Sequence, residues 1–173
     1  MVGKREEGRG KKELGQGERG FRKLLAWQKA DAMASSVFQA LYMRELPSWL
    51  VTQAARAAVS VPANIAEGYT RGALRDYLRF LDIARGSLAE LEYYLHFMVS
   101  NQLLEPSAYD TLTSLHSEVG NLLVGLIRSL RLKLKEGSWD RARVSEELPE
   151  YLAASANHIP LPPSSYPLPE GEG

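Results

Sequence analysis

The chain has no cysteine. Disulfides, thiolate nucleophiles and cysteine-based metal sites are therefore excluded. Histidine is nearly absent too. His96, His116 and His158 stand far apart, with no His-x-x-His or His-Glu-x-x-His spacing. No Glu-x-x-His pair appears, which argues against a carboxylate-bridged di-metal bundle. No run of about 18 apolar residues exists, so no membrane-spanning helix is expected. The first residues lack the apolar stretch of a secretory signal, and a cytoplasmic location is expected. The chain also lacks net charge, with 21 basic and 21 acidic residues. No global field favours a polyanion or an acidic substrate, although local asymmetry is untouched by that sum. No segment alternates apolar and polar residues with β-branched enrichment, so no sheet is expected, and no glycine-rich phosphate loop after a strand.

What is present is one domain's worth of chain, 173 residues with 45% apolar content. Its ends differ from its middle. Residues 1–20 are charged and glycine-rich and cannot bury enough apolar surface to offset chain entropy, so they read as disordered. Residues 136–173 are acidic and then proline-rich, ending in HIPLPPSSYPLPEGEG, and read as mostly extended or disordered. A short helix within 138–155 is a further expectation. An RNA-binding arm and a proline-motif ligand are functional readings of these ends; untethered tails are the plainer one.

Residues 21–135 carry a helical pattern. Trp27, Ala30, Ala34, Val37 and Leu41 are spaced three and four apart, one stripe of a helix over 24–44. Pro47 disfavours helix at Leu46 and marks a break. A second helix over 48–69 presents Val51, Ala54, Ala58, Val61 and Ile65. Over 73–100, Leu74, Leu81, Leu88 and Leu95 recur every seven residues, followed three positions later by Tyr77, Ala84, Leu91 and Met98. These are the a and d positions of four heptads. The same helix carries a second apolar stripe, Phe80, Ile83, Tyr94 and Phe97. One partner helix cannot cover both stripes, so this helix is central in a bundle or faces another subunit. Pro106 suits the first turn of a fourth helix, whose stripe is Leu112, Leu115, Val119, Leu122 and Leu126, and Gly137 suits its stop. Four amphipathic helices with short connections predict an all-α, up-down-up-down four-helix bundle.

The stretch AAVSVPANIAEGYTRG, residues 57–72, is the least ordinary. Pro62 inside a helix removes one backbone bond and presses on the Ala58 carbonyl, predicting a kinked second helix. Ser60 or Asn64 is placed to bond the backbone groups so freed, and Gly68 after Glu67 is placed to end the helix. As a catalytic site the stretch is thin: Asn64 and Glu67 have no visible base or nucleophile beside them.

RAAVSVPANIAEGYTR, followed by YLRFLDIARGSLAELE and preceded by FRKLLAWQKA, resembles the four-helix bundle family encoded in intervening sequences of bacterial 23S rRNA genes. The resemblance covers about residues 21–135, and the three motifs in this order are its specific part. It makes Pro62, Asn64, Glu67 and Gly68 a structural signature. It implies a left-handed bundle assembling as a ring-like homopentamer. It also implies kinship with the accessory variability determinant proteins of diversity-generating retroelements, basic pentamers that bind nucleic acid and a reverse transcriptase. Most other members of the family have no established biochemical role. Ala55 stands where the family usually carries one of a basic pair, and PSWL at 47–50 where it usually has a charged turn; both departures lower positive charge or polarity.

In an up-down-up-down bundle the basic residues collect at one end. Arg71, Arg75 and Arg79 join Arg128 and Arg131 there, with Arg22, Lys23, Lys29, Lys133 and Lys135 nearby. Lys133 and Lys135 suit the negative end of the last helix. Arg71, Arg75 and Arg79 are read as lining the positive start of the third, where the dipole disfavours cations, which hints at an anionic partner. The plainer reading is a solvated stripe bridging Asp76 and Asp82. Residues 21–135 carry 13 basic and 10 acidic residues, whereas 136–173 carry two and seven. The acidic end thus leaves from the basic pole and is able to fold back on it. Tyr93, Tyr94 and Tyr109 suit base stacking or interface packing, and Gly86, Gly120 and Gly125 suit close helix contact.

The chain therefore reads as a non-enzymatic homo-oligomeric assembly protein, with Phe80, Ile83, Tyr94 and Phe97 at the interface. Two functional classes stay open: RNA or DNA binding at the basic end, or a protein-interaction scaffold that binds no nucleic acid. No cofactor or metal is expected.

Overall fold

A computed structural model describes residues 20–137 apart from Met43. The readings of the two ends, including the short helix in 138–155, lie outside the described residues. A 3-10 turn at Phe21–Lys23 leads into four helices: α1 (Leu25–Tyr42), α2 (Ser48–Thr70), α3 (Leu74–Ser100) and α4 (Pro106–Glu136). Among the described residues there is no strand. The fold is an all-α four-helix bundle. Each helix packs on its neighbours in sequence, and α4 closes against α1.

The helix ends follow local chemistry. Pro47, extended at ψ 123°, sets the start of α2, and Pro106 occupies the first turn of α4 where its missing N–H costs nothing. Asp76 in the first turn of α3 complements the helix dipole. Gly137, at φ +64°, ends α4 in the left-handed conformation that a side chain disfavours, and its N–H bonds the Lys133 carbonyl.

The core is the heptad seam. All eight a and d residues of α3 are buried, together with Ala30, Ala34, Val37 and Leu41 of α1 and Leu112, Val119, Leu122 and Leu126 of α4. A buried leucine of this kind contributes about 1.5–3 kcal/mol. Half of the residues that α2 buries are alanine or glycine, namely Ala54, Ala57, Ala58 and Gly68, and at Gly68 its backbone lies close to α3. Contacts between α2 and α3 run in opposite chain directions: Trp49 meets Phe97, Ser60 meets Ser87, and Gly68 meets Tyr77.

Two expectations about α2 change. Gly68 does not end the helix, which continues to Thr70 and stops at extended Arg71. Its role is packing. A Cβ at Gly68 would lie 2.7 Å from Phe80 Cβ and 2.8 Å from Tyr77 Cδ2. Asn64 does not serve the Ala58 carbonyl that Pro62 leaves without its usual donor. Its Nδ2 donates instead to the Ser60 carbonyl at 2.8 Å. Pro62 itself is buried, and α2 runs through it from Ser48 to Thr70.

Candidate functional site

Three surface features are built on this frame. The first is a polar ladder on α2. Asn64 Nδ2 donates to Ser60 Oγ at 3.0 Å, and the Ser60 and Ser87 hydroxyls lie 2.8 Å apart. Ser87 Oγ donates to the Ile83 carbonyl at 3.2 Å, which uses its one proton. Ser60 is therefore the donor to Ser87. The hydrogen bonds run one way, from Asn64 through Ser60 and Ser87 to α3. About one turn after Asn64, Glu67 pairs with Arg71. The Arg71 guanidinium also lies over the Phe80 ring, 4.9 Å from its centroid. Asn64 through Ser60, Gly68 through its close approach, and Glu67 through Arg71 thus link α2 to α3.

The second feature is apolar and flanks the first. Phe80, Tyr94 and Phe97 are half-buried, and Ile83 is 42% exposed. Phe97 meets Trp49 of α2 at 6.3 Å between ring centroids and Tyr93 at 6.3 Å; Tyr93 meets Tyr94 at 5.5 Å. Trp49, 58% exposed, and Tyr93, 59% exposed, extend the same aromatic group outward. A large apolar surface left in water is the informative departure from ordinary burial. Trp49 and Tyr93 thus join the Tyr94 and Phe97 half of the stripe read from the sequence, whereas Phe80 and Ile83 lie about three turns earlier on α3 with Ser87 and Glu90 between. Trp49 lay in a segment noticed only for its lost charge.

The third feature is a groove of about 240 Å³ between α3 and α4. Its apolar lining is Val124, Ile127 and Leu132, of which Ile127 is buried and Val124 and Leu132 are each 44% exposed, and its cations are Arg85, Arg128, Arg131 and Lys135. Asp82 pairs with Arg131 at 3.5 Å and with Arg85 at 3.9 Å. Arg128 and Lys135 have no ion pair among the described residues. Such a site suits an anion attached to an apolar body.

The expected basic cluster is therefore redistributed. Arg128 and Arg131 line the groove, while Arg75 and Arg79 do not, and Arg71 is engaged with Glu67 and Phe80. Asp82 is taken by Arg131 and Arg85, rather than bridged by Arg75 and Arg79. Arg85 was missed by sequence reasoning. Its signal was the heptad: Arg85 follows Leu78 by seven residues, and Leu78 is buried on the same side.

The remaining candidates are structural in their contacts. His116 Nε2 lies 3.0 Å from the Leu88 carbonyl, so it carries a proton and links α4 to α3. Gly86 faces open space and Gly120 makes only ordinary contact, 3.6 Å from a Cβ position to Leu88, so neither is a site of close helix approach. Burial, then the Glu92 and Asp110 carboxylates, push the Tyr109 phenol above its ordinary range. Among the described residues no group of three His, Asp or Glu side chains is placed to hold a metal ion. No helix among them is long and apolar enough to cross a membrane.

Residues 22–125 match the family model described as 23S rRNA-intervening sequence protein. The fold is similar to that of a crystal structure of a protein of unknown function from the S23 ribosomal protein family of Bacteroides thetaiotaomicron. That similarity has a TM-score of 0.57 at 22% identity, covering 60% of this chain and 98% of the other. No curated protein matches the chain.

Proposed function

The chain belongs to the 23S rRNA-intervening sequence protein family, and we propose that it is a non-enzymatic assembly protein that binds copies of itself through the α2/α3 face. The observation that carries this reading is the half-exposed stripe of Phe80, Ile83, Tyr94 and Phe97, widened by Trp49 and Tyr93. Aromatic residues are enriched at the cores of protein interfaces, where they supply area with little side-chain entropy to lose. One hydrogen bond of the polar ladder, from Ser60 to Ser87, ties α2 to α3 beside the stripe. A pentamer is the assembly implied by the family resemblance. Light scattering on the full chain tests the reading. A multimer that Ile83→Glu or Phe97→Glu reduces to a single chain is expected; a wild-type monomer in dilute solution contradicts it.

A second reading concerns the other side of α3. We propose that the α3/α4 groove binds the phosphates of RNA or DNA. Arg128 and Lys135, with no ion pair among the described residues, support it. Phosphate binding displaces counterions, so affinity should fall steeply with salt. Salt-insensitive capture of a protein partner, without nucleic-acid binding, would favour the scaffold reading instead.

A further inference from the structure

We propose that the α3/α4 groove is the seat of this chain's own acidic segment, residues 144–152. The argument begins with where the chain goes after α4. Gly137 ends the helix in the left-handed conformation, so the chain turns at a point next to Lys135, one wall of the groove. The segment that follows is tethered beside the site.

Its composition matches the groove. VSEELPEYL, residues 144–152, carries Glu146, Glu147 and Glu150 and no cation. Leu148 stands between the glutamates, and Val144 and Leu152 flank them. The groove offers the complement: Val124, Ile127 and Leu132, the first and last of them exposed, beside Arg85, Arg128, Arg131 and Lys135. Asp82 already pairs with Arg85 and Arg131, so Arg128 and Lys135 are the principal partners for the incoming carboxylates. Carboxylate–guanidinium pairs are charge-assisted, and the exposed apolar side chains beside them have surface to bury against Val144, Leu148 and Leu152.

The length also fits. From Val124 to Gly137, α4 rises about 20 Å. The seven residues from Gly137 to Val144 reach about 23 Å when extended. A nearly extended tether therefore brings the segment to the far end of the groove, and a looser one to the Lys135 end. Tethering makes the encounter intramolecular, so modest contacts suffice to hold it. The seating stands whether or not the groove also takes nucleic acid. If it does, the segment and the nucleic acid compete for Arg128 and Lys135.

The absence of cysteine makes the test clean, because two introduced thiols are the only sites for spin labels. The full chain carrying Ala89→Cys on exposed α3 and Ser145→Cys in the segment is labelled with nitroxides. It is diluted with excess unlabelled chain, and the distance distribution is measured by pulsed electron resonance. One narrow, short distance that survives dilution is expected. It should be lost in Glu146→Gln/Glu147→Gln/Glu150→Gln, which leaves the bundle untouched, and in Arg128→Glu. It should also weaken at about 1 M salt, where screening is strong. A broad distribution in the parent protein overturns the proposal. So does a short distance that vanishes on dilution, since a second copy's segment would then fill the groove. A short distance unchanged by the glutamine substitutions overturns it as well. None of these outcomes depends on nucleic-acid binding, which is measured separately.

Discussion

Gly68 of α2 and Phe80 of α3 approach so closely that a methyl group at position 68 would lie 2.7 Å from Phe80 Cβ. Tyr77 closes the other side, with Cδ2 at 2.8 Å and its carbonyl at 3.3 Å from the same point. The obstacles are the stem and backbone of α3 rather than a movable side-chain tip. Gly68→Ala should therefore destabilise the bundle by about 1–3 kcal/mol, although alanine is the better helix former. Urea unfolding measures it. Unchanged or raised stability would mean that α2 does not lie this close to α3.

Asn64, Ser60 and Ser87 should behave as one unit. Asn64→Ala removes a donor from a half-buried hydroxyl and should cost about 1–2 kcal/mol. Ser87→Ala should cost a similar amount, and the double variant less than the two together. A double-mutant cycle on unfolding free energies measures the coupling; strict additivity would break the relay.

Tyr77 makes the fold sensitive to alkali. Burial above all, then the neighbouring Tyr69, hold its phenol protonated well above the ordinary range. In the unfolded chain it ionises near pH 10. Above that pH the unfolded state has released a proton that the folded state retains, so stability falls as pH rises. Tyr109 shifts in the same direction and adds the same sign. Tyr77→Phe should change stability by less than about 1 kcal/mol at neutral pH. It should flatten the loss between about pH 10 and 12. Unfolding curves across that range check it, and an unflattened loss would assign the sensitivity elsewhere.

The groove predicts how nucleic-acid affinity responds to change. Arg128→Glu should weaken binding to single-stranded RNA and make its salt dependence less steep. The slope should fall by about 0.7 log units for each phosphate no longer neutralised. Ending the chain at Gly137 should strengthen binding at low salt, because the acidic segment no longer competes. Fluorescence anisotropy over a salt series reads both. Equal affinities for all three chains would remove the groove from the nucleic-acid account.

These features were unequally legible in the sequence. The heptads of α3 were legible because every a and d position is apolar, and each is buried. The helix ends followed from Pro47, Pro106 and Gly137. Gly68 misled because a glycine near a helix end is ordinarily a stop; only the position of Phe80 on α3 reveals the close approach. The basic cluster was half legible. Arg128 and Arg131 line one groove, but helix count alone cannot separate the α2 side of α3, where Arg71 lies over Phe80, from the α4 side, where Arg85 stands. Trp49 escaped notice because exposed tryptophan has no periodic signal of its own.

The central claim is self-assembly through the α2/α3 face, and the mass of the full chain in solution tests it most directly. Light scattering behind size-exclusion chromatography, repeated over a dilution series, should give a constant multimer, five chain masses by the family resemblance. Ile83→Glu should lower it to one chain mass with helicity retained. A wild-type chain that elutes at a single chain mass, or an Ile83→Glu variant of unchanged mass, would contradict the account.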